Sequence, residues 1–383
     1  MPATMGMLYS YESDLAELAA RGRRRELAPR AGIDFTSNDY LALAESAELR
    51  QAAHDALARG VPIGAGGSRL LRGNHPEHEA LEADAAAFFA TETALYFGGG
   101  FTANYAIFAT LPQRGDLVVY DALIHASVHQ GVRSGRADHT AAAHNDANAF
   151  EDAIRTWRAR GGTGRPWIAV ESLYSMDGDR APLADLARIA DRHDGILVID
   201  EAHATGVFGP DGRGLGAGLE GRPNVVSLHT CGKGLGVMGG LVCGPRVFRD
   251  FLVNRCRPFI YATAPSPLVA ALVRAALKLC RDEPARRQRL ARLVAHAGAE
   301  LPRTCGIEPS GSQIQPVVVG SDARALAVAA AMQAEGYDIR AIRPPTVPEG
   351  TSRLRLALTL NVSEQVVSDM LGVLARQLRN FQT

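Results

Sequence analysis

The sequence predicts an α/β protein with a large, mostly parallel central sheet flanked by helices and a smaller C-terminal α/β domain. Three observations lead there. Apolar runs such as DLVVYD, RPWIAVE, ILVID and VVSLHT recur along the chain with helix-forming segments between them. Strands alternating with helices at this spacing make βαβ units, which pair in parallel. The 383-residue length also exceeds the roughly 250–300 residues at which a single core stops growing. The expected parts are an N-terminal helix and strand over residues 1–45, a large domain over 46–285 and a small domain over 286–383.

Composition narrows the function classes. Lys+Arg and Asp+Glu both total 41, so no global field favours nucleic acid or an anionic membrane. The opening MPATMGMLYSYESDLAEL has neither a basic n-region nor an apolar core, so it does not read as a signal peptide. No apolar run approaches the ~20 residues that span a bilayer. Five cysteines, an odd number without CxxC spacing, point to reduced thiols in a cytoplasm.

In chain order, residues 11–30 read as an amphipathic helix running into a basic cluster, Arg21 and Arg23–Arg25. That cluster is either a solvated surface or a contact for a phosphate-bearing or acidic partner. Ile33–Leu43 reads as a short strand breaking into a polar turn, with a helix to about Ala58. Gly64–Asn74 is a glycine-rich loop. His75 and His78 lack the HExxH order and a nearby third ligand, so HPEH reads as a helix start with Pro76 in its first turn. Thr93–Leu111 runs from a strand through Gly98–Gly100 into a helix, which offers unpaired amides and a positive dipole end to a phosphate. Such turns are common, and this one alone decides nothing.

Strand Leu117–Tyr120 is followed by Asp121 and His125, and a second strand ends at Glu171 with Ser172 and Ser175 beyond it. Residues 182–194 read as helical. Ile196–Gly206 is a strand ending in Asp200, Glu201 and His203; Val225–Gly240 is another, ending in Thr230 with Lys233 among glycines. Helical stretches then run through Arg287–Leu301, interrupted by YATAPSP. The last hundred residues add strand QPVVVG, helix Ala323–Ala334, strand YDIRAI, strand SRLRLAL and a closing helix capped by Asn361.

Ligands of a parallel sheet bind beyond the carboxyl ends of its strands, where Glu171, Asp200, His203, Thr230 and Lys233 all fall. Three familiar spellings do not survive inspection. DEAH at Asp200–His203 has no GxxxxGK[ST] loop to accompany it, GLGVMG precedes a strand instead of a helix, and no GxSxG elbow exists. Lysine chemistry is what remains. A buried lysine loses its proton readily and attacks an aldehyde. Pyridoxal 5'-phosphate (PLP) uses that reaction, and an aspartate facing its pyridine nitrogen keeps its ring an electron sink. Lys233, Asp200, the Gly100–Phe101 amides, His125 and His203 are the residues for such a site.

At this point the chain resembles the α-oxoamine synthases, PLP enzymes of the aspartate-aminotransferase-like fold type I. The resemblance runs from about Asp34 to the C-terminal helix. It is carried by FTSNDYLAL, GAGGSRLLRGN, GGGFTAN, DALIHAS, ESLYSMDGD, VIDEAHATGVFG, HTCGKGLG, YATAPSP and RPPTVPEGTSRLRLAL. It implies that Lys233 holds PLP as a Schiff base and serves as acid and base, that Asp200 pairs with the pyridinium, and that His125 stacks on the ring. By the same resemblance Ser175 and His203 bond the phenolic oxygen. Gly100, Phe101 and Thr230 hold the phosphate, with Thr263 reaching in from the partner subunit of a homodimer. Arg355 would bind the substrate carboxylate as a bidentate fork. Asn38 and Glu171 fall at site positions and Thr346 near the acyl pocket.

The implied reaction condenses L-alanine with a pimeloyl thioester of coenzyme A or acyl carrier protein. It gives 8-amino-7-oxononanoate, carbon dioxide and the free thiol, a step of biotin biosynthesis. Cys231, Ala204 and Ser266 depart from the family's usual residues without removing a functional group. Glycine C-acetyltransferase-like, 5-aminolevulinate synthase-like and palmitoyl-transferring members are the nearest rivals. A fold type I aminotransferase and a non-catalytic carrier-binding relative stand further off.

Overall fold

The parallel sheet that the strand pattern predicts is the centre of a computed structural model of the protein, which describes residues 5–381. The outermost residues of the sequence-derived domain bounds and of the opening segment, 1–4 and 382–383, lie outside the described residues. In chain order the first elements are α1 (Met5–Ala20), β1 (Ile33–Asp34), α2 (Ala47–Ala58), α3 (Pro76–Phe88), β2 (Thr93–Phe97), α4 (Gly100–Thr110), β3 (Leu117–Asp121) and α5 (Ala126–Ser134). Next come β4 (Asp138–Ala142), α6 (Ala147–Ala159), β5 (Pro166–Glu171), α7 (Leu183–Arg192), β6 (Ile196–Asp200), β7 (Val225–Thr230) and β8 (Gly240–Gly244). Then follow α8 (Arg246–Arg255), α9 (Arg257–Ile260), α10 (Pro267–Asp282), α11 (Pro284–Cys305) and β9 (Ile314–Gly320). The chain closes with α12 (Asp322–Ala334), β10 (Tyr337–Asp338), β11 (Ala341–Ile342), β12 (Ser352–Ala357) and α13 (Glu364–Asn380).

The described residues group into two compact units. The larger covers residues 38–175 and 179–291 and holds a seven-stranded sheet in the order β2-β8-β7-β6-β5-β3-β4. Only β8 runs antiparallel to its neighbours. Alternate residues of one strand serve opposite faces of the sheet. Val118, Trp167, Ala169 and Val198 pack with α4, α5 and α8 residues such as Ile107, Val128 and Leu252. Leu117, Val119, Ile168, Val170 and Ile199 pack instead against Phe150, Ile154, Leu186 and Ile189 of α6 and α7. Both faces are covered, which is why these strands read as continuous apolar runs and not as alternating ones. Since β3, β5, β6 and β7 are parallel, Asp121, Glu171, Asp200 and Thr230, each the last residue of its strand, share one edge.

The smaller unit covers residues 5–37, 176–178 and 292–381 of the described chain. Its antiparallel sheet β11-β12-β9 packs with α12, α13 and the later part of α11 around Val317, Leu354, Leu356, Met332 and Met370. A separate parallel pair joins β1 to β10, with Ile33 opposite Tyr337. No described helix is long and apolar enough to cross a membrane.

Four local expectations change. The first helix spans Met5–Ala20 and not residues 11–30, because the chain turns at Gly22, whose φ of +66° a continuing helix does not allow. The basic cluster is therefore coil, and Arg23 donates to Asp322 at 2.7 Å and to Glu349 at 2.6 Å while Arg25 donates to Thr346 at 3.2 Å. YDIRAI is two strands of different sheets, with Ile339 between them turned fully into the core. The last helix is capped by Ser363, which accepts from the Val366 amide at 3.3 Å, and not by Asn361. Strand β4, with its exposed DHTAA, carries no apolar signal; the paired backbone of β3 alone makes it a strand.

Candidate active site

The lysine is presented by a tight connection between β7 and β8. Cys231 donates its amide to Gly239 O, Val237 to Cys231 O and Gly236 to Lys233 O, so residues 231–239 form a closed turn. Gly236 sits at φ +65°, and a Cβ there would lie 2.5 Å from the Ala44 amide nitrogen. Only glycine lets the turn lie this close to the 43–44 backbone.

From this turn Lys233 Nζ reaches 2.6 Å from His203 Nε2, on the segment after β6. His203 Nδ1 lies 2.7 Å from the Tyr40 hydroxyl, which donates to Asn38 Oδ1 at 2.9 Å. The direction of the chain follows from its far end. Tyr40 gives its proton to Asn38 and therefore accepts from His203 Nδ1–H, leaving Nε2 to accept from the lysine. His203, expected beside a cofactor oxygen, is thus also bonded to Lys233.

Asp200 ends β6 at 5% exposure. Its Oδ1 accepts from the Ala202 amide at 2.9 Å and its Oδ2 from Asn104 Nδ2 at 2.5 Å. Glu171 lies directly opposite Asp200 across the β5–β6 pair, and its Oε2 accepts from the Ser175 amide at 3.0 Å. Its Oε1 is buried without a hydrogen-bond partner among the described residues. Burial, reinforced by the charge of Asp200 and opposed by that of Lys233, pushes the Glu171 carboxyl up to about 8.

His125 caps the N-terminus of α5, with its Nδ1 accepting from the Ser127 amide at 3.3 Å. Burial holds this imidazole below its ordinary range, and the charge of Lys233 adds to that while Asp200 opposes it. A neutral ring is the form suited to lie against another flat ring. The Phe101 ring stands edge-on to it, 6.1 Å between centroids.

Helix α4 begins at Gly100, and its cap residue Gly99 makes no side-chain hydrogen bond to the first turn. A Cβ on Gly100 would come within 3.0 Å of Thr230 Oγ1, so the helix start is pressed against the end of β7. Open first-turn amides beside a threonine hydroxyl make an anion nest. A lysine amine, a donor-held carboxylate, a neutral imidazole and an anion nest on one sheet edge are what PLP requires, and these residues fit it.

The larger unit therefore brings together Lys233, His203, Asn38, Asp200, Glu171, Ser175, His125, Gly100, Phe101 and Thr230. Thr263 belongs to the exposed Tyr261–Thr263 segment of the same unit, anchored by the Ala264 amide to Gly67 O at 2.8 Å. Thr346 and Arg355 belong to the smaller unit. Arg355 is 7% exposed on β12, while Arg353, two residues before it, is bonded to Asp177.

Sequence reasoning missed Asn104, Tyr40 and His144. The first two lie inside motifs already singled out, GGGFTAN and SNDY, where only the fold reveals their partners. His144 joins Asp121 Oδ1 and Asp179 Oδ2, each at 2.8 Å, beside the turn that carries Ser175. Burial pulls its pKa down, but the hydrogen bonds to Asp121 and Asp179 outweigh that and push it up to about 10 from 6.5. The stabilisation from a raised histidine pKa is complete below the unfolded value and is lost as pH rises through the folded one. The melting-temperature gap between the wild type and His144→Gln is therefore expected to be largest below pH 6.5 and to close towards about pH 10. Solvent at Asp179 limits the corresponding difference in unfolding free energy to roughly 1–3 kcal/mol. A gap independent of pH across that window would show that the clamp is not charged.

Residues 30–373 match the family described as Aminotransferase class I and II. The chain is 42% identical over 381 residues to the 8-amino-7-oxononanoate synthase of Anaeromyxobacter dehalogenans (strain 2CP-1), an alignment covering 96% of this chain and 94% of that one. A structure of SPT holding PLP superimposes with a TM-score of 0.88 at 25% identity, covering 99% of both chains. The 8-amino-7-oxononanoate synthase of Francisella tularensis superimposes with a TM-score of 0.77 at 24% identity, over 91% of this chain and 98% of that one, which speaks to the fold. With the predicted fold type I architecture and a PLP-fitting site in place, the chain belongs to the class I and II aminotransferase family and, within it, to the 8-amino-7-oxononanoate synthases.

Proposed function

We propose that this enzyme joins L-alanine to a pimeloyl thioester of coenzyme A or acyl carrier protein in biotin biosynthesis. The alanine Cα bonds to the thioester carbonyl carbon, the thiol leaves, and the alanine carboxylate departs as carbon dioxide; 8-amino-7-oxononanoate is the product. The observation that carries this is Lys233 at 2.6 Å from His203 beside the donor-held Asp200, in a chain 42% identical along nearly its whole length to such a synthase.

When bound, PLP supplies an electron sink for negative charge at the substrate Cα. Lys233 Nζ would hold the cofactor aldehyde and, as a free amine, would remove and return the proton at the substrate Cα. His203 Nε2 orients that amine, and Tyr40 with Asn38 fixes the imidazole that does so. Asp200 would face the ring nitrogen, His125 would lie on the ring, and Ser175 and His203 would serve the phenolic oxygen. The first-turn amides of α4 and Thr230 would hold the phosphate. Thr263 is assigned to the phosphate in the partner subunit's site, which makes the working unit a homodimer. Arg355 is assigned to the substrate carboxylate and Thr346 to the acyl pocket, with Asn38 and Glu171 lining the amino-acid side. Five unpaired thiols support a cytoplasmic location.

The similarity to the serine palmitoyltransferase of Sphingomonas wittichii, 26% identical with a TM-score of 0.88, favours a second reading, in which serine and a palmitoyl thioester are the substrates. Mass spectrometry of products from L-alanine, glycine or L-serine, each against pimeloyl, acetyl, succinyl and palmitoyl thioesters, separates the two. Product is expected with L-alanine and the pimeloyl thioesters only, and the coenzyme A and carrier-protein forms compared side by side identify the donor. Product from glycine with acetyl-CoA alone, or from serine with palmitoyl-CoA alone, would replace this reading.

A further inference from the structure

We propose that Asn104 is a positioning residue that locks the Asp200 carboxylate in register with the phosphate nest, so that helix α4 holds both ends of the cofactor at a set spacing. The proposal rests on the reading that Asp200 faces the PLP ring nitrogen.

Asn104 is one helical turn beyond Gly100, so its side chain lies on the same face of α4 as the helix start. The nest at Gly100–Phe101 and the donor to Asp200 therefore belong to one rigid element. PLP is itself rigid between its ring nitrogen and the carbon that bears its phosphate arm. A helix that carries the phosphate site and grips the aspartate matches that rigidity. A carboxylate left to rotate about its own side chain would not.

The grip is well defined. Asn104 is 2% exposed and its Nδ2 lies 2.5 Å from Asp200 Oδ2. The second oxygen, Oδ1, accepts from the Ala202 amide, so donors from two different elements fix the plane of the carboxylate. The amide can face Asp200 only one way, since its oxygen against the carboxylate would set two acceptors together. That orientation leaves Asn104 Oδ1 buried with no hydrogen-bond partner among the described residues. An orphaned buried acceptor is destabilising. Fold stability alone would favour an apolar residue here, and the contact to Asp200 is the one hydrogen bond this side chain makes among the described residues.

The neighbouring carboxyl supplies the contrast. Glu171, opposite Asp200 on β5, receives no side-chain donor at its Oε1, and burial pushes it up to about 8. Of two adjacent carboxyls, the one that Asn104 grips is the one the chemistry needs as an anion.

The test uses Asn104→Ala and Asn104→Asp, the second nearly isosteric but setting a carboxyl against Asp200, with Asp200→Asn as a control. Three quantities are read: the melting temperature of the apo-protein, the PLP dissociation constant by absorbance titration, and the pH midpoint of the visible absorbance of the PLP-loaded protein. Both Asn104 variants are expected to weaken PLP binding by roughly tenfold to a hundredfold and to displace the pH midpoint, Asn104→Ala in the same sense as Asp200→Asn. In turnover, kcat should fall with little change in the KM for alanine. Wild-type PLP binding and an unmoved midpoint in a folded Asn104 variant, while Asp200→Asn responds, would overturn the proposal alone. If Asp200→Asn is also silent, the reading of the aspartate falls and the proposal with it. Should Asn104→Ala fail to fold, Asn104→Asp decides by the same criteria.

Discussion

Lys233→Ala protein is expected to keep its fold and to lose turnover by roughly 10⁴-fold or more. The lysine lies half-buried in the turn between β7 and β8, and that turn is closed by backbone hydrogen bonds that survive truncation of the side chain. What disappears is the amine 2.6 Å from His203, to which the proposed mechanism assigns both the covalent hold on PLP and the base at Cα. No other lysine stands in for it: Lys278 on α10 is engaged with Asp282 at 2.6 Å. Product detection by mass spectrometry and the visible absorbance of the PLP-loaded protein check the two roles separately. Condensation at near wild-type rate would remove Lys233 from the mechanism. A wild-type protein that stays colourless after incubation with PLP would remove the cofactor.

Asp200→Asn carries the second largest expectation, a fall in kcat of roughly 10²–10⁴-fold with KM for alanine little changed. The substitution keeps shape and volume, so the β6 strand end and its packing persist. The proposed mechanism sets the Asp200 charge against the ring nitrogen; without that charge the ring would be a poorer electron sink in the step where charge develops at Cα. Steady-state kinetics over a range of alanine concentrations separates this from a binding defect. A variant with raised KM and unchanged kcat would mean that Asp200 holds substrate and does not tune the cofactor.

Both residues are declared openly by the sequence. A lone lysine among glycines after an apolar strand is a local pattern, legible because strand, turn and lysine are contiguous. The same holds for Asp200 at the end of ILVID and for the glycine run that opens α4. These are short-range facts about dihedral freedom, hydrophobic runs and helix starts. Resemblance to known motifs then implied roles for Ser175 and Arg355, which composition would have left as surface or core residues. The local errors are also instructive. Strand β4 is invisible in its own exposed DHTAA and exists because the β3 backbone pairs with it. YDIRAI divides because β1 and β12, both distant in sequence, claim different halves of it.

What the sequence determined by itself is the fold class, the edge of the sheet where chemistry belongs, and the residue types for a PLP site. Those follow from periodicity and strand-end position, which are read along the chain. Tertiary structure alone decided who holds whom. Tyr40 meets His203 across 163 residues and Asn104 meets Asp200 across 96, in each case through a buried polar contact. Buried polar groups must find partners wherever the packing brings them, and that choice is made by the assembled sheet and its helices, not by neighbours in the chain.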